Sequence, residues 1–173
     1  LTVLDRGGMS TSLGRGPSGT SVVGIGVLVG SLPAAGTSAP WSVDMADSHS
    51  RVVSLTVTDC GYYQTVSGEL DGAHADSQHD AANYDMPITA FGAIVAALKL
   101  RRDASTGPFT CHSCDNLKVN GHILRNTVTC LAAMSDPHLA VWIGDHGTFP
   151  QSTGACLVRA QGEGTPWVGG GRG

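Results

Sequence analysis

The sequence predicts an α/β fold: a parallel sheet with flanking helices, bounded by glycine-rich irregular ends. Short apolar runs at residues 21–29, 51–58 and 108–113 alternate with longer segments whose apolar residues recur every three or four positions. A nearly continuous β-branched run such as 51–58 is what a strand buried on both faces of a parallel sheet looks like, and strand–helix alternation is the mark of βαβ units. The length of 173 residues suffices for one domain with a core and falls short of two.

Residues 1–20 are rich in Gly, Ser and Thr and carry no firm periodicity. Residues 21–29 (SVVGIGVLV) read as a buried strand interrupted by glycines. A loop around PAAGTSAP follows, then RVVSLTVT at 51–58, the clearest strand. Residues 64–87 are polar and read as a loop ending in Asp85-Met86-Pro87, a helix start with proline in the first turn. From there Ile88, Phe91, Ile94, Val95 and Leu98 recur at helical spacing. Lys99, Arg101 and Arg102 stand in the last turn, where positive charge suits the helix dipole, and Gly107-Pro108 stops the helix. Residues 108–113 form the next strand. Helix resumes near Asn120, with Leu124, Val128, Leu131 and Ala132 on one face. Asp136-Pro137 then opens a short helix carrying Leu139, Trp142 and Ile143, the Asp as cap and the Pro at the first helical position. Ligands of such sheets bind beyond the carboxyl ends of the strands, which points to residues 59–63 and 113–116.

Charged residues are only 14% of the chain against about 25% in soluble domains, so Gly, Ser and Thr must build much of the surface. Mean hydropathy is +0.05. The 24 glycines concentrate in 1–40 and 162–173, which predicts long flexible stretches there. A net charge of −4 without any Lys/Arg block argues against nucleic acid or an anionic membrane as partner. The most apolar run, residues 21–30, is well short of the roughly 20 residues a bilayer span needs, and no basic-apolar-cleavage pattern opens the chain. Five irregularly spaced cysteines read as free thiols. A cytoplasmic monomer is expected. The first residue is Leu, not Met, and the expectation is that the chain is a piece of something longer.

Cys111-His112-Ser113-Cys114 has the C-x-x-C spacing of a redox pair or half a zinc site. Zinc needs a second pair of ligands, and only Cys130 and scattered histidines are on offer. Cys111 falls inside the strand and Cys114 at its end, so the plainer reading is two small buried hydrophobes. His74 and His79-Asp80 also suggest metal, but they lack a third ligand and read as solvated loop residues. Gly24, Gly26 and Gly30 imitate a dinucleotide loop; the third glycine falls one residue late and no helix pattern follows, so a glycine-rich strand fits better. Asp115-Asn116 differs, because it stands just past a buried strand and before a helix. An asparagine there can donate its amide N–H to a developing oxyanion, or it can cap the helix or turn the chain. Spacing leaves both open.

Four stretches together resemble a known family: RVVSLTVTDCGYY (51–63), GELDGAHADSQHD (68–80), PITAFGAIVAALKLRRDASTGPFTCHSCDNLKVNG (87–121) and DPHLAVWI (136–143). They are similar to the polyol-specific long-chain dehydrogenases, which include mannitol 2-dehydrogenase and fructuronate (mannonate) reductase. The most specific elements are V-S-L-T-x-T-x-x-G-Y at 53–62 and S-C-D-N-x-x-x-N-G at 113–121. The resemblance implies an incomplete Rossmann-like parallel sheet, with a partial nucleotide-binding domain over residues 1–160 and a glycine-rich disordered tail over 161–173. It implies NAD as cofactor and hydride transfer between polyols and keto sugars or sugar acids (mannitol and fructose, mannonate and fructuronate). Asn116 matches the family asparagine that helps form the oxyanion hole around the reacting oxygen. Thr58, Gly61, Ser113 and Asp115 match strand-end positions beside the cofactor, while Cys111 and His112 fall where relatives have strand hydrophobes.

Departures from the family pattern accompany the match. The glycine-rich phosphate loop is expected before residue 1. TFPQSTGACLV (148–158) begins like F-P-x-S/T-M-V-D-R-I, but Thr153-Gly154-Ala155-Cys156 stand where Met-Val-Asp-Arg belongs. The family's general base is a lysine in a helical Lys-x4-Asn-x2-His motif, and neither Lys99 nor Lys118 has that context. Hydride transfer needs a held nicotinamide and a group to move the hydroxyl proton, so the expectation is a fragment or degenerate member, inactive in isolation. A non-catalytic nucleotide-binding or interaction module and a Cys/His metal protein built on Cys111, Cys114 and Cys130 are the readings from other classes.

Overall fold

In the computed structural model, which describes residues 10–16, 19–26, 39–57, 59–65 and 68–152, the fold centres on two parallel strands, β3 (Val52–Leu55) and β4 (Thr110–Ser113). They are preceded by β1 (Ser10–Gly16), β2 (Gly19–Ile25) and α1 (Ala39–Ala46). A 3-10 turn (Asp59–Tyr62), α2 (Ala75–Ala82) and α3 (Ala90–Asp103) separate β3 from β4, and α4 (Asn120–Ala133) and α5 (Pro137–His146) follow. Thr58, Gly30 and the 161–173 tail lie outside the described residues.

The register sets Val53 beside Cys111 and Leu55 beside Ser113. Side chains alternate across a strand, so these four share the face turned to the core, and Cys111 and Ser113 are buried. Against that face lie Phe91, Ile94, Val95 and Leu98 of α3, Leu124, Val128 and Leu131 of α4, and Leu139 and Ile143 of α5, joined by Tyr62 and Phe109 in one cluster. The helical spacing of these apolar positions is why α3, α4 and α5 form where the sequence places them. Asp136 caps α5 as expected, its carboxylate accepting from Leu139 N at 2.9 Å with Pro137 in the first turn. Arg102 reaches the same carboxylate at 2.9 Å and ties the end of α3 to the start of α5.

Several sequence expectations are corrected. β2 ends at Ile25 and is exposed along its whole length, because among the described residues it pairs only with β1, in an antiparallel hairpin. Nor is β3 buried on both faces: Val52 and Ser54 are exposed. Among the described residues β4 has a neighbour on each side, β3 and a bridge to Thr148, whereas β3 stands at the edge. The polar stretch 64–87 contains α2, whose buried residues are Ser77, Asp80 and Ala81 rather than an apolar stripe. His74 caps it, accepting from Asp76 N at 3.2 Å. α1 is a further helix in a segment with no sequence pattern.

The start of α3 is also displaced. Its cap is Thr89, whose Oγ1 accepts from Gly92 N at 2.9 Å, so Pro87 precedes the helix and Ile88 is exposed. Asp80 decides this. Its carboxylate, buried at the end of α2, accepts from Ile88 N (2.8 Å), Thr89 N (2.9 Å) and Thr89 Oγ1 (2.6 Å). A Cβ on Gly92 would collide with that carboxylate, which makes the glycine a requirement of the contact. Arg101, in the last turn as the sequence places it, is buried. It donates to Gly107 O at 2.6 Å, Ser50 O at 2.7 Å and Asp47 O at 3.2 Å, with Phe109 beneath it, and so ties α3 to the approach to β3. Among the described residues no helix is long and apolar enough to cross a membrane.

Replacing Asp80 with Ala strands two backbone N–H groups and a hydroxyl in the interior. The Asp80→Ala chain should lose about 2–3 kcal/mol of unfolding free energy in a urea titration. A change below about 0.5 kcal/mol, the size of an ordinary surface substitution, would remove Asp80 from the capping role.

Candidate functional site

Parallel strands end at the same edge of a sheet, and β3 and β4 are last joined where Cys114 N donates to Leu55 O at 2.9 Å. Beyond this edge both chains turn irregular, and main-chain groups that leave the ladder need new partners. Asp115 supplies them. Its two carboxylate oxygens accept from Val57 N at 3.0 and 3.2 Å, and Oδ2 accepts from the Tyr62 hydroxyl at 2.7 Å. A phenol has one proton to give, so Ser113 Oγ, 2.8 Å from the Tyr62 oxygen, donates to it. Tyr62 and Ser113 are wholly buried and Asp115 is 3% exposed. Burial first, and then the neighbouring Asp115, push the Tyr62 hydroxyl above the ordinary tyrosine range. It therefore remains a donor. The ring itself packs on Phe91, with centroids 5.0 Å apart.

A second anchor closes the segment that follows β4. Asn120, fully buried at the start of α4, donates through Nδ2 to Asp115 O (3.1 Å), Ser152 O (3.0 Å) and Ser152 Oγ (2.6 Å), and its Oδ1 accepts from Ser152 N at 3.1 Å. Next to it, a Cβ on Gly121 would stand 2.6 Å from Pro150 O and 2.7 Å from Phe149 O, so the Asn-Gly pair is dictated by the close approach of 149–152. Val119 completes the turn with φ of 54°, a left-handed conformation that a β-branched residue rarely adopts.

Between these anchors stands Asn116, exposed, its side chain making no hydrogen bond among the described residues. The cap position of α4 is held by Val119 without a side-chain bond. Of the readings that spacing left open for Asn116, helix capping is thereby removed, while residues 115 and 116 form a bend, so the turn reading stands beside the oxyanion one. Gly61 sits in the 3-10 turn, where a Cβ would come within 3.0 Å of Val57 Cβ. The structure thus joins Ser113 and Asp115 directly, brings the turn of Gly61 to them through Tyr62, and leaves Asn116 facing out. Tyr62, Asn120 and Ser152 were not singled out from the sequence. Two of them were within sight, since Tyr62 closes the motif at 53–62 and Asn120 lies in the motif at 113–121.

The cysteine expectations divide. Cys111 is a buried strand residue, its thiol pushed up to about 12 by desolvation. Cys114 is not buried; it has left the ladder and lies exposed, its Sγ 3.6 Å from His112 Nδ1. Cys130 is half-buried on α4, and all three are free thiols. His79 pairs with Asp80 at 3.1 Å. Among the described residues no group of three His, Cys, Asp or Glu side chains is placed to hold a metal ion.

Residues 29–160 match the family model described as the mannitol dehydrogenase Rossmann domain. Mannitol 2-dehydrogenase of Cereibacter sphaeroides is 46% identical over 142 residues, which is 82% of this chain and 30% of that protein. D-mannonate oxidoreductase of Escherichia coli (strain K12) is 45% identical over 107 residues, 61% of this chain and 22% of that protein. Two solved structures are similar: a D-sorbitol dehydrogenase in substrate-free form, with a TM-score of 0.80 and 34% identity, and Pseudomonas fluorescens mannitol 2-dehydrogenase in a ternary complex with NAD and D-mannitol, with a TM-score of 0.74 and 37% identity. These alignments cover 86% and 83% of this chain, and 31% and 29% of the two structures. The chain therefore spans less than a third of the length of these relatives.

The thiol environments predict reactivity. With its thiol at about 12, Cys111 holds roughly one thiolate in 10⁴ at pH 8 and has no access to reagent. Iodoacetamide should label Cys114 in the folded chain and reach Cys111 only after unfolding, as read by mass spectrometry of the digest. Equal labelling rates in the folded state would contradict the burial of Cys111.

Proposed function

The chain belongs to the mannitol dehydrogenase Rossmann-domain family, and on that premise we propose that it is part of the nucleotide-binding domain of an NAD-dependent enzyme interconverting polyols with keto sugars or sugar acids. The observation that carries this reading is the exposed Asn116 amide at the carboxyl edge of β4, next to Asp115, whose carboxylate and carbonyl are held by the buried Tyr62 and Asn120. When hydride leaves or reaches the carbon, its oxygen gathers negative charge, and an amide N–H already fixed in place stabilises that charge without reorganising. Asn116 has two side-chain N–H bonds to offer and no competing partner among the described residues. NAD, when bound, accepts or delivers the hydride.

Gly61, Ser113, Asp115 and Thr58 are placed beside the cofactor in this reading. Gly61 keeps the turn after β3 close against Val57. Ser113 and Asp115, both buried, act by holding the strand ends at their spacing. The domain is taken to run over residues 1–160; the family match over 29–160 supports its far boundary. The names of the relatives, mannitol 2-dehydrogenase and D-mannonate oxidoreductase, support a polyol or sugar acid as substrate. A cytoplasmic monomer without nucleic-acid or membrane partners completes the proposal, supported by the net charge of −4 and the free thiols.

As a fragment or degenerate member the chain should be inactive alone. Lys99 is paired with Asp103 at 2.6 Å on α3, and Lys118 lacks the Asn-x2-His that accompanies the family's base. Purified chain should therefore show no NAD-dependent oxidation of mannitol and no reduction of fructuronate, and measurable turnover would overturn that part of the proposal. Calorimetric titration with NADH separates a chain that keeps its cofactor site from one that keeps only the fold. In an intact relative, alanine at the asparagine equivalent to Asn116 should lower kcat by about 10²–10³-fold with cofactor affinity nearly unchanged. A kcat within a few-fold of the parent would take this asparagine out of the mechanism.

A further inference from the structure

We propose that Tyr62 is a positioning residue: through Asp115 its hydroxyl sets the spacing between the end of β3 and the segment that presents Asn116. The inference rests on the reading of Asn116 given above, and it assigns a task to a side chain that touches no ligand. The hydroxyl and the Val57 N–H converge on one carboxylate, at 2.7 Å and at 3.0 and 3.2 Å. Asp115 is thereby shared between the strand that precedes the 3-10 turn and the turn itself, while its own backbone carbonyl accepts from Asn120. Asn116 is the next residue. The residue before it is thus held twice, through its carboxylate by Val57 and Tyr62 and through its carbonyl by Asn120.

Packing alone would not give Tyr62 this task, because a phenylalanine would fill the same space against Phe91. What the hydroxyl adds is direction. Without the phenol the carboxylate keeps Val57 N and the longer bond from Ser113 Oγ and must turn toward other donors or water; any shift of the Asp115 backbone that accompanies this passes directly to Asn116. The two family motifs, at 53–62 and 113–121, meet around this contact, which joins the last residue of the first to the third residue of the second.

The test is made on the full chain by nuclear magnetic resonance. Tyr62→Phe keeps the ring and removes the hydroxyl; it should speed exchange of the Val57 amide about tenfold or more and broaden or shift the Asn116 side-chain amide signals. Val128→Ala, a core substitution away from this edge, serves as the control. It should lower the melting temperature by at least as much and leave both signals as they were. Asp115→Asn, which puts an NH2 where one carboxylate oxygen accepts, should reproduce the Tyr62→Phe changes, and the two substitutions together should add to much less than their sum, since both weaken the same contact. Full additivity, a Val57 exchange rate within about twofold of the parent, or a control that moves the two signals equally would each overturn the inference. Should Tyr62→Phe fail to fold, Asp115→Asn decides alone: an unmoved Asn116 signal overturns the proposal. Loss of the catalytic reading through the Asn116 substitution in a relative would leave these signals untouched, so the two failures can be told apart.

Discussion

A buried carboxylate at the end of a short parallel sheet is the constraint on which the site depends. Two strands of four residues each make few ladder bonds, and where they end the backbone would separate. Asp115 spans that gap, taking the Val57 amide from one strand's continuation and the Tyr62 phenol from the turn beyond it. A charge in such a place is tolerated only when it is fully supplied with donors. The requirement works in both directions: the donors keep the carboxylate inside, and the carboxylate keeps its donors together.

The same device recurs through the fold. Asp80 gathers the donors at the start of α3, and Arg101 satisfies the carbonyls of the segment leading into β3. Asn120 joins the segment after β4 to residue 152. A chain with 14% charged residues has placed several of its polar groups inside rather than on its surface. Hydrogen bonds to charged groups are directional and contribute about 1.5–3 kcal/mol each. They therefore define where irregular segments run, which hydrophobic contacts, being non-directional, do not. The irregular segments are where the candidate site lies.

This arrangement explains why the site residues differ so much in exposure. Ser113 and Asp115 are consumed by contacts with each other and with Tyr62, and Asn116, between the two anchored positions, is left with an unengaged amide. The proposed role of Asn116 draws on this contrast, an unengaged side-chain amide beside a firmly held neighbour. The cysteines that first draw the eye in the same stretch take opposite sides of the strand end, one in the core and one in solvent, and neither shares in this network.

The parts of the structure legible in the sequence are those governed by local periodicity. α4, α5 and most of α3 appear where their apolar residues repeat, β4 where a short strand precedes a turn, and the cap of α5 where Asp meets Pro. Asn116 was singled out by its place after a strand and by its motif, with capping the helix or turning the chain left as an equal possibility. Tertiary contacts decided the rest. α2 is held by the buried Asp80 and not by an apolar stripe, so its pattern was invisible. β1 and β2 satisfy each other as an exposed hairpin, which a run of valines and glycines cannot announce. Tyr62 and Asp115 are 53 residues apart in the chain, and no spacing rule reaches that far. Periodicity records which face of an element meets the core. Which buried acceptor meets which distant donor is settled only when the elements are packed together, because a hydrogen bond depends on the position and direction of both partners at once.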